Sequence, residues 1–266
     1  MSLMSTMPAR VTILGSGSVG NCAYIETDET RLLVDAGLSL RQIRQRLASI
    51  GRTPERLTAI LITHEHADHT NALAVINDKL RVPIYCNRPT REAIEFQIQA
   101  KLECRVFETR NSFEIGDVLV ETFEVLHDAH EPVGFLLRAA GVAIGILTDL
   151  GQVTKLVIDR VRTANILLIE ANHDVKMVQD CPNRPWSVKQ RILSRNGHLS
   201  NEAAADAVEQ LISAELRHLY LGHLSRDCNK PELARRVMSE RLEKIGATHV
   251  CLEVASQNVP CPTLTA

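Results

Sequence analysis

The feature that most constrains this chain is the run His64–His69, six residues that include three histidines and one aspartate. It directly follows Leu57–Thr63, an apolar stretch that predicts a buried strand. Burial alone does not account for three imidazoles, because each buried ring needs polar partners. Imidazole and carboxylate groups in the turn after a strand instead indicate ligands for zinc or a similar divalent metal. The run is not the His-Glu-x-x-His motif of the zincins, since Asp68 stands where that motif has its second histidine.

Further metal ligands are expected later in the chain, because one short run cannot complete two metal sites. His127, Asp149 and His223 each end a predicted strand, and loops at strand ends gather beside one another. For any one of these residues alone, a role in capping a turn is at least as good an explanation as a role as a metal ligand. His130 lies three positions after His127 and is a weaker candidate for the same place.

Strand patterns dominate the first half of the chain, and helix patterns alternate with strands after Asp149. The predicted strands are Val11–Leu14, Cys22–Thr27, Arg31–Val34, Leu57–Thr63, Asn165–Glu170, His218–Leu221 and His249–Val254. Phe113–Val125 and Gly134–Thr148 are predicted as antiparallel strands that turn at Gly116-Asp117 and Ala140-Gly141. The predicted helices are Ser39–Ile50, Pro89–Lys101, Lys155–Val161, Asn201–Ser213 and Pro231–Ile245. Strand meanders followed by alternation favour an α/β sandwich of two sheets with helices on the outer faces.

Length and composition narrow the class of protein. A chain of 266 residues, 45% hydrophobic, predicts one domain over residues 11–266, and residues 1–10 are expected to be a disordered start or a cloning remnant. A net charge of -2 excludes a broadly basic nucleic-acid binder, so any such contact is local. Seven scattered cysteines without a Cys-x-x-Cys pair favour a reducing cytoplasm. The sequence contains no apolar stretch long enough to predict a membrane span.

The ordered set of histidines and aspartates resembles the five motifs of the metallo-β-lactamase superfamily, in its phosphodiesterase-like branch, over almost the whole chain. This resemblance implies a four-layer αββα sandwich and two divalent metal ions, zinc or manganese. Carried over residue by residue, it implies one metal bound by His64, His66 and His127, a second bound by Asp68, His69 and His223, and a bridging role for Asp149.

Flanking segments make the chain similar to a small bacterial group of 5′-to-3′ DNA exonucleases of this fold. Those segments are Gly15–Asn21, Asp128–Phe135, Glu170–Asp174, Gly197–Asn201 and Leu221–Ser225. The resemblance implies a nucleic-acid substrate, with DNA favoured. We expect Asp68 to orient or deprotonate the attacking water, and His198 or His173 to stabilise or protonate the leaving oxygen.

The chain departs from the family pattern in two places. Residues 70–72, Thr-Asn-Ala, stand where family members usually have a glycine shortly after the histidine-rich run. Asp149 and His223 are 74 positions apart (223 − 149), which leaves no room for the extra domain that larger nucleases of the superfamily insert there. The sequence therefore predicts no separate substrate clamp domain.

Other functions fit parts of the sequence. A hydrolase of a small thioester, lactone or cyclic phosphodiester would use the same metals. Gly15–Gly20 satisfies Gly-x-Gly-x-x-Gly, but a dinucleotide-dependent oxidoreductase needs a helix next, and Cys22–Glu26 predicts a strand. A tight turn near the metals explains the glycines better, with Ser16, Ser18 or Asn21 able to reach a phosphate. A non-catalytic binding protein would not need a complete ligand set.

One basic cluster adds a weaker signal. Lys189, Arg191 and Arg195 could follow a phosphate backbone. A solvated helix face accounts for the same residues more simply, so the sequence alone does not make this cluster a binding surface.

Overall fold

The computed structural model describes residues 9–265, which form two seven-stranded sheets with helices. The strands are β1 (Arg10–Gly15), β2 (Cys22–Glu26), β3 (Arg31–Val34), β4 (Ala59–Leu61), β5 (Ile84–Asn87), β6 (Cys104–Phe107), β7 (Ser112–Ile115), β8 (Val118–Glu124), β9 (Val133–Ala139), β10 (Val142–Leu147), β11 (Ile166–Glu170), β12 (His218–Gly222), β13 (Cys251–Val254) and β14 (Leu264–Thr265). The helices are α1 (Leu40–Ser49), α2 (Ala67–Thr70), α3 (Leu73–Lys79), α4 (Arg88–Ile98), α5 (Lys155–Val161), α6 (Val175–Asp180), α7 (Trp186–Ile192), α8 (Asn201–Leu211) and α9 (Pro231–Lys244).

Residues 9 and 10, which were predicted to belong to a disordered start, are ordered in the structure. Ala9 is buried and Arg10 already belongs to β1, paired with both β2 and β14. Positions 1–8 of the predicted disordered start lie outside the described residues.

The first sheet has the strand order β14-β1-β2-β3-β4-β5-β6. The predicted meander is confirmed for β1, β2 and β3, which pair antiparallel. Strands β3 to β6 instead run parallel to one another. Parallel neighbours need crossover connections, which α1, α3 and α4 supply. The prediction for the first half was therefore incomplete, because it lacked α2, α3, β5 and β6.

The second sheet has the order β13-β12-β11-β10-β9-β8-β7. Strands β7 to β10 pair antiparallel, and β10 to β13 pair parallel. The predicted alternation of strands and helices after Asp149 is confirmed. Helix α5 has the predicted bounds, and α8 and α9 each begin at the predicted residue and end within two residues of the predicted end.

Three apolar layers hold the two sheets and the helices together. Ile43 of α1 and Ile94 of α4 pack with the outer face of the first sheet. Val208 of α8 and Met238 of α9 pack with the second. A central core between the sheets includes Phe135, and each such buried side chain contributes about 1.5–3 kcal/mol. The predicted four-layer αββα sandwich is confirmed.

Parallel pairing brings the carboxyl ends of β3, β4, β10, β11 and β12 to one edge of the sandwich. Asp35, Asp149 and His223 follow three of these strands with left-handed backbones, at φ 62°, 56° and 53°. A left-handed non-glycine residue costs about 1–3 kcal/mol, so the surrounding fold must hold these residues in place. No helix within residues 9–265 is long and apolar enough to cross a bilayer. All seven cysteines are free.

Candidate metal centre

The structure brings all seven predicted metal ligands into one cluster, and five of them line a cleft of about 360 Å³: His66, Asp68, His127, Asp149 and His223. Four groups, each with ligand atoms within 4.8 Å of one another, make up the cluster: His64, His66 and His127; Asp68, His69 and His223; His64, His69 and Asp149; and Asp149, Glu170, His198 and His223. Asp149 thus shares a group with one residue from each of the first two groups. This is the arrangement expected of a carboxylate that lies between two metal positions.

Backbone contacts hold the histidine-rich run in place. The Asn21 N–H donates to the carbonyl oxygen of Asp68 at 2.7 Å, and the Ala36 N–H donates to that of His69 at 2.8 Å. A Cβ atom at Gly37 would lie 1.6 Å from the Asp68 carbonyl oxygen, so only glycine fits there. Asn71 is in a right-handed helical conformation, so the missing family glycine leaves no strained position behind.

Hydrogen bonds on the outer ring nitrogens orient the histidines. In His69, the Nδ1 atom lies 2.7 Å from a carboxylate oxygen of Asp35. In His127, the Nδ1 atom lies 3.0 Å from the carbonyl oxygen of Gly197. In His223 it lies 2.8 Å from Glu170. Because these oxygens can only accept, Nδ1 carries the proton and Nε2 offers its lone pair to the cluster.

Several lone pairs in the cluster face one another. The His127 Nε2 atom lies 3.3 Å from Nδ1 of His66, and His69 Nε2 lies 2.7 Å from Oδ2 of Asp149. Nε2 of His64 and Oδ2 of Asp149 are buried and lack a hydrogen-bond partner among residues 9–265. Lone pairs at such distances repel unless a proton or a metal cation lies between them. Nitrogen and oxygen donors without a thiolate fit zinc, manganese and related divalent ions.

The electrostatics of the cluster also favour cations. Burial disfavours the charged form of His69, yet the carboxylates of Asp35 and Asp149 raise its pKa well above the usual range. Burial, together with the nearby His69, lowers the pKa of His64 well below its usual range, so that ring is neutral and free to bind a metal. The buried carboxylates therefore stabilise positive charge at the position where divalent ions would supply it.

The sequence analysis assigned no role to two site residues, Asp35 and Glu170, although Glu170 begins one of the segments that carry the family resemblance. The Asp35 carboxylate is 3% exposed and accepts from the Thr63 N–H as well as from His69. Glu170 is fully buried and accepts from the N–H groups of Leu150 and Leu199 besides binding His198 and His223. Each lies at the end of a predicted strand, which was the available signal.

The two predicted catalytic histidines occupy different environments. His198 lines the cleft, and its Nδ1 lies 2.7 Å from Glu170. Burial disfavours its charged form, but Glu170 raises the pKa of His198. His173 is 1% exposed, pairs through its backbone with Ser200 and lies outside the cleft lining, and burial lowers its pKa to about 4. The structure thus brings His198 to the cleft, while His173 remains enclosed.

His130 does not compete with His127 for the cluster. Its side chain is 66% exposed, and its Nδ1 lies 2.6 Å from a carboxylate oxygen of Glu65. His127 is the residue that joins His64 and His66.

The glycine-rich segment Gly15–Gly20 is a turn between β1 and β2, so the helix needed for a dinucleotide site is absent there. Ser16 in this turn and Asn21 directly after it contact the metal-ligand cluster. The His223 N–H donates to Ser16 Oγ at 2.8 Å, and Asn21 Nδ2 lies 3.0 Å from Nε2 of His69. Ser18 lines the cleft. The predicted tight turn near the ligands is confirmed.

The fold and the cluster together define a protein of the metallo-β-lactamase class. The chain belongs to this family, since residues 30–224 match the family described as β-lactamase superfamily domain. A solved structure with this fold is the metallo-β-lactamase fold protein YhfI from Bacillus subtilis, with a TM-score of 0.71 at 16% identity over 96% of this chain and 99% of that one.

Two curated relatives are much more similar in sequence. The chain is 41% identical over 243 residues to the exodeoxyribonuclease WalJ of Streptococcus pneumoniae serotype 2, covering 90% of each protein. It is 39% identical over 242 residues to the exodeoxyribonuclease YycJ of Bacillus anthracis, covering 90% of this chain and 91% of the relative.

Glu170 offers a test of how the cluster is supported. Replacing Glu170 by Gln keeps its size but removes the charge that orients His198 and His223, so we expect metal affinity to fall about 10- to 100-fold. Titration with a metal-sensitive dye measures this. Glu26→Gln is the matched control, because Glu26 is also buried but pairs with Arg31 and Arg52. Equal losses of metal affinity in both variants would contradict the role of Glu170.

Proposed function

We propose that this protein is a dinuclear metal-dependent phosphodiester hydrolase that degrades DNA from its 5′ end. The observation that carries the proposal is the complete ligand cluster in a chain about 40% identical, over nine tenths of its length, to proteins named exodeoxyribonucleases. His64, His66 and His127 would hold one ion, Asp68, His69 and His223 the other, and Asp149 would bridge them.

We assign the steps of the reaction to residues around the cleft. Two divalent ions, when bound, would polarise the phosphate and lower the pKa of water. Asp68 has a side chain 24% exposed in the cleft and would orient the attacking water and accept its proton. Glu170 holds Nδ1 of His198, which leaves the other ring nitrogen of His198 to donate a proton to the leaving oxygen. His173 is enclosed and would order the loop behind His198.

Removal of metal is expected to lower the melting temperature. A ligand at about 100 times its Kd stabilises a protein by about 2.7 kcal/mol, which for a chain of this size corresponds to a Tm shift of about 5–10 °C. Calorimetry with chelator, and then with added zinc or manganese, measures the shift. A Tm that is the same with and without metal would contradict a metal site built into the folded state.

A substrate panel tests the proposed function. We expect the manganese- or zinc-loaded protein to shorten end-labelled DNA from its 5′ end, with slower turnover of RNA, a thioester and a lactone. A chelator should abolish cleavage, and added metal should restore it. If the small esters turn over rapidly while every oligonucleotide stays intact, the protein is an esterase of the same fold and the proposal is wrong.

A further inference from the structure

We propose that helix α7 and the residues that flank it form a substrate clamp. In this clamp, Trp186 stacks on an unpaired base of the strand being degraded, and Arg184 and Arg191 bind the phosphates that lead to the metals. The inference rests on the proposed function, because it assumes a nucleic-acid strand in the cleft. Beyond the proposed function, the inference identifies the residues that bind the nucleic-acid strand.

The position of α7 supports a role at the mouth of the cleft. Arg184, which precedes the helix, and Arg191, near its end, both line the cleft together with Asp68 and His198. Ile192 is the buried residue of α7 and packs in a small apolar cluster of its own. The other residues of α7 are exposed or half-buried, and Arg191 and Ile192 are the two that line the cleft.

The exposed surface of α7 is unusually apolar. Trp186 is 62% exposed, and Val188 and Leu193 are each 37% exposed. Three of the ten exposed large hydrophobic residues in the described chain thus fall within eight positions. Burial against this protein does not explain an exposed tryptophan. Aromatic side chains beside a positively charged groove are the usual platforms on which bases of single-stranded nucleic acid stack.

The charge of this segment matches a phosphate backbone. Residues 182–199 contain Arg184, Lys189, Arg191 and Arg195 and no acidic residue, in a chain whose net charge is -2. Lys189 donates to the carbonyl oxygen of Gln179, and Arg195 donates to the side chain of Gln152, so these two brace the segment.

The two arginines at the cleft are available for a phosphate. Arg184, whose side chain is 27% exposed, pairs with the exposed Asp227 at 3.1 Å, and the exposed Arg191 pairs with Asp128 at 2.7 Å. Surface ion pairs are weak, and a guanidinium binds phosphate with two parallel hydrogen bonds. A solvated helix face, the simpler interpretation from sequence, accounts for the lysine and arginines but not for Trp186.

Fluorescence provides a direct test, because Trp186 is the only tryptophan of the chain. We expect a short single-stranded oligodeoxynucleotide to quench the emission of metal-loaded Asp68→Asn protein, which binds without cleaving. A strand of the same length in which every position is abasic should quench much less. Equal quenching by the two strands, or none while anisotropy of a labelled strand reports binding, would overturn the stacking contact.

Kinetics separate this inference from the proposed function. Trp186→Ala should raise KM for single-stranded DNA about tenfold and leave kcat within about twofold, since stacking acts on binding. Trp186→Phe should restore most of the affinity. Phe96→Ala is the matched control, because Phe96 is 85% exposed on α4, a helix that contributes no residue to the cleft lining, whereas α7 contributes Arg191 and Ile192. If the wild-type protein cleaves DNA and Trp186→Ala has an unchanged KM, the proposed clamp is wrong but the proposed nuclease function is unaffected. If the wild-type protein cleaves no nucleic acid, the proposed function itself is wrong.

Discussion

Replacing Asp68 by Asn is expected to lower kcat for DNA cleavage about 10²- to 10⁴-fold, while binding of the oligonucleotide is retained. The substitution preserves side-chain volume but removes the charge that accepts the proton of the attacking water. The Asp68 carboxylate lies 3.3 Å from Nε2 of His223 and faces the cleft, so no other group described there duplicates its position. Single-turnover cleavage of end-labelled DNA measures the loss, and anisotropy measures binding.

Asp78→Asn is the matched control for this experiment, because Asp78 is exposed on α3, outside the cleft lining. It should cleave DNA at the wild-type rate. If Asp68→Asn retains more than about a tenth of the wild-type kcat, the carboxylate is not the proton acceptor and the proposed chemistry is wrong.

Replacing Asp149 by Ala is expected to reduce the metal content from about two ions per chain to one or fewer and to abolish cleavage. Asp149 is 2% exposed and shares ligand groups with His64 and His69 and also with His223, so its loss affects both metal positions. Elemental analysis of metal-saturated, desalted protein measures the content.

Asp149→Asn keeps the side-chain size and tolerates the left-handed backbone at this position, so it separates loss of charge from loss of fold. Asp159→Ala, an exposed change on α5, is the matched control. Wild-type metal content in a folded Asp149→Ala protein would show that Asp149 is not a shared ligand.

The histidine ligands could be predicted from sequence because metal binding restricts both residue type and position. Three imidazoles directly after one buried strand are hard to satisfy without a metal ion, and later strands end at the same edge of a sandwich. Asp35 and Glu170 could not be assigned in this way. A single acidic residue after a strand is common in turns, and only the tertiary contacts with His69 and His223 reveal its role.

The elements missed by the sequence analysis are those whose stability comes from neighbours. Helix α2 has four residues and is fixed by backbone hydrogen bonds from Asn21 and Ala36, so it has no hydrophobic period of its own. Helix α7 buries little besides Ile192 and therefore lacks an amphipathic pattern. The same weak pattern gave no signal for Trp186, whose side chain is 62% exposed among residues 9–265.

The most direct test of the dinuclear site is anomalous diffraction from crystals grown with manganese. We expect two anomalous peaks about 3.5–4 Å apart. One should lie about 2.0–2.2 Å from the ring nitrogens of His64, His66 and His127, and the other at similar distances from Asp68, His69 and His223. Asp149 should contact both. A single peak at saturating manganese, or peaks away from these seven side chains, would contradict the proposed metal centre.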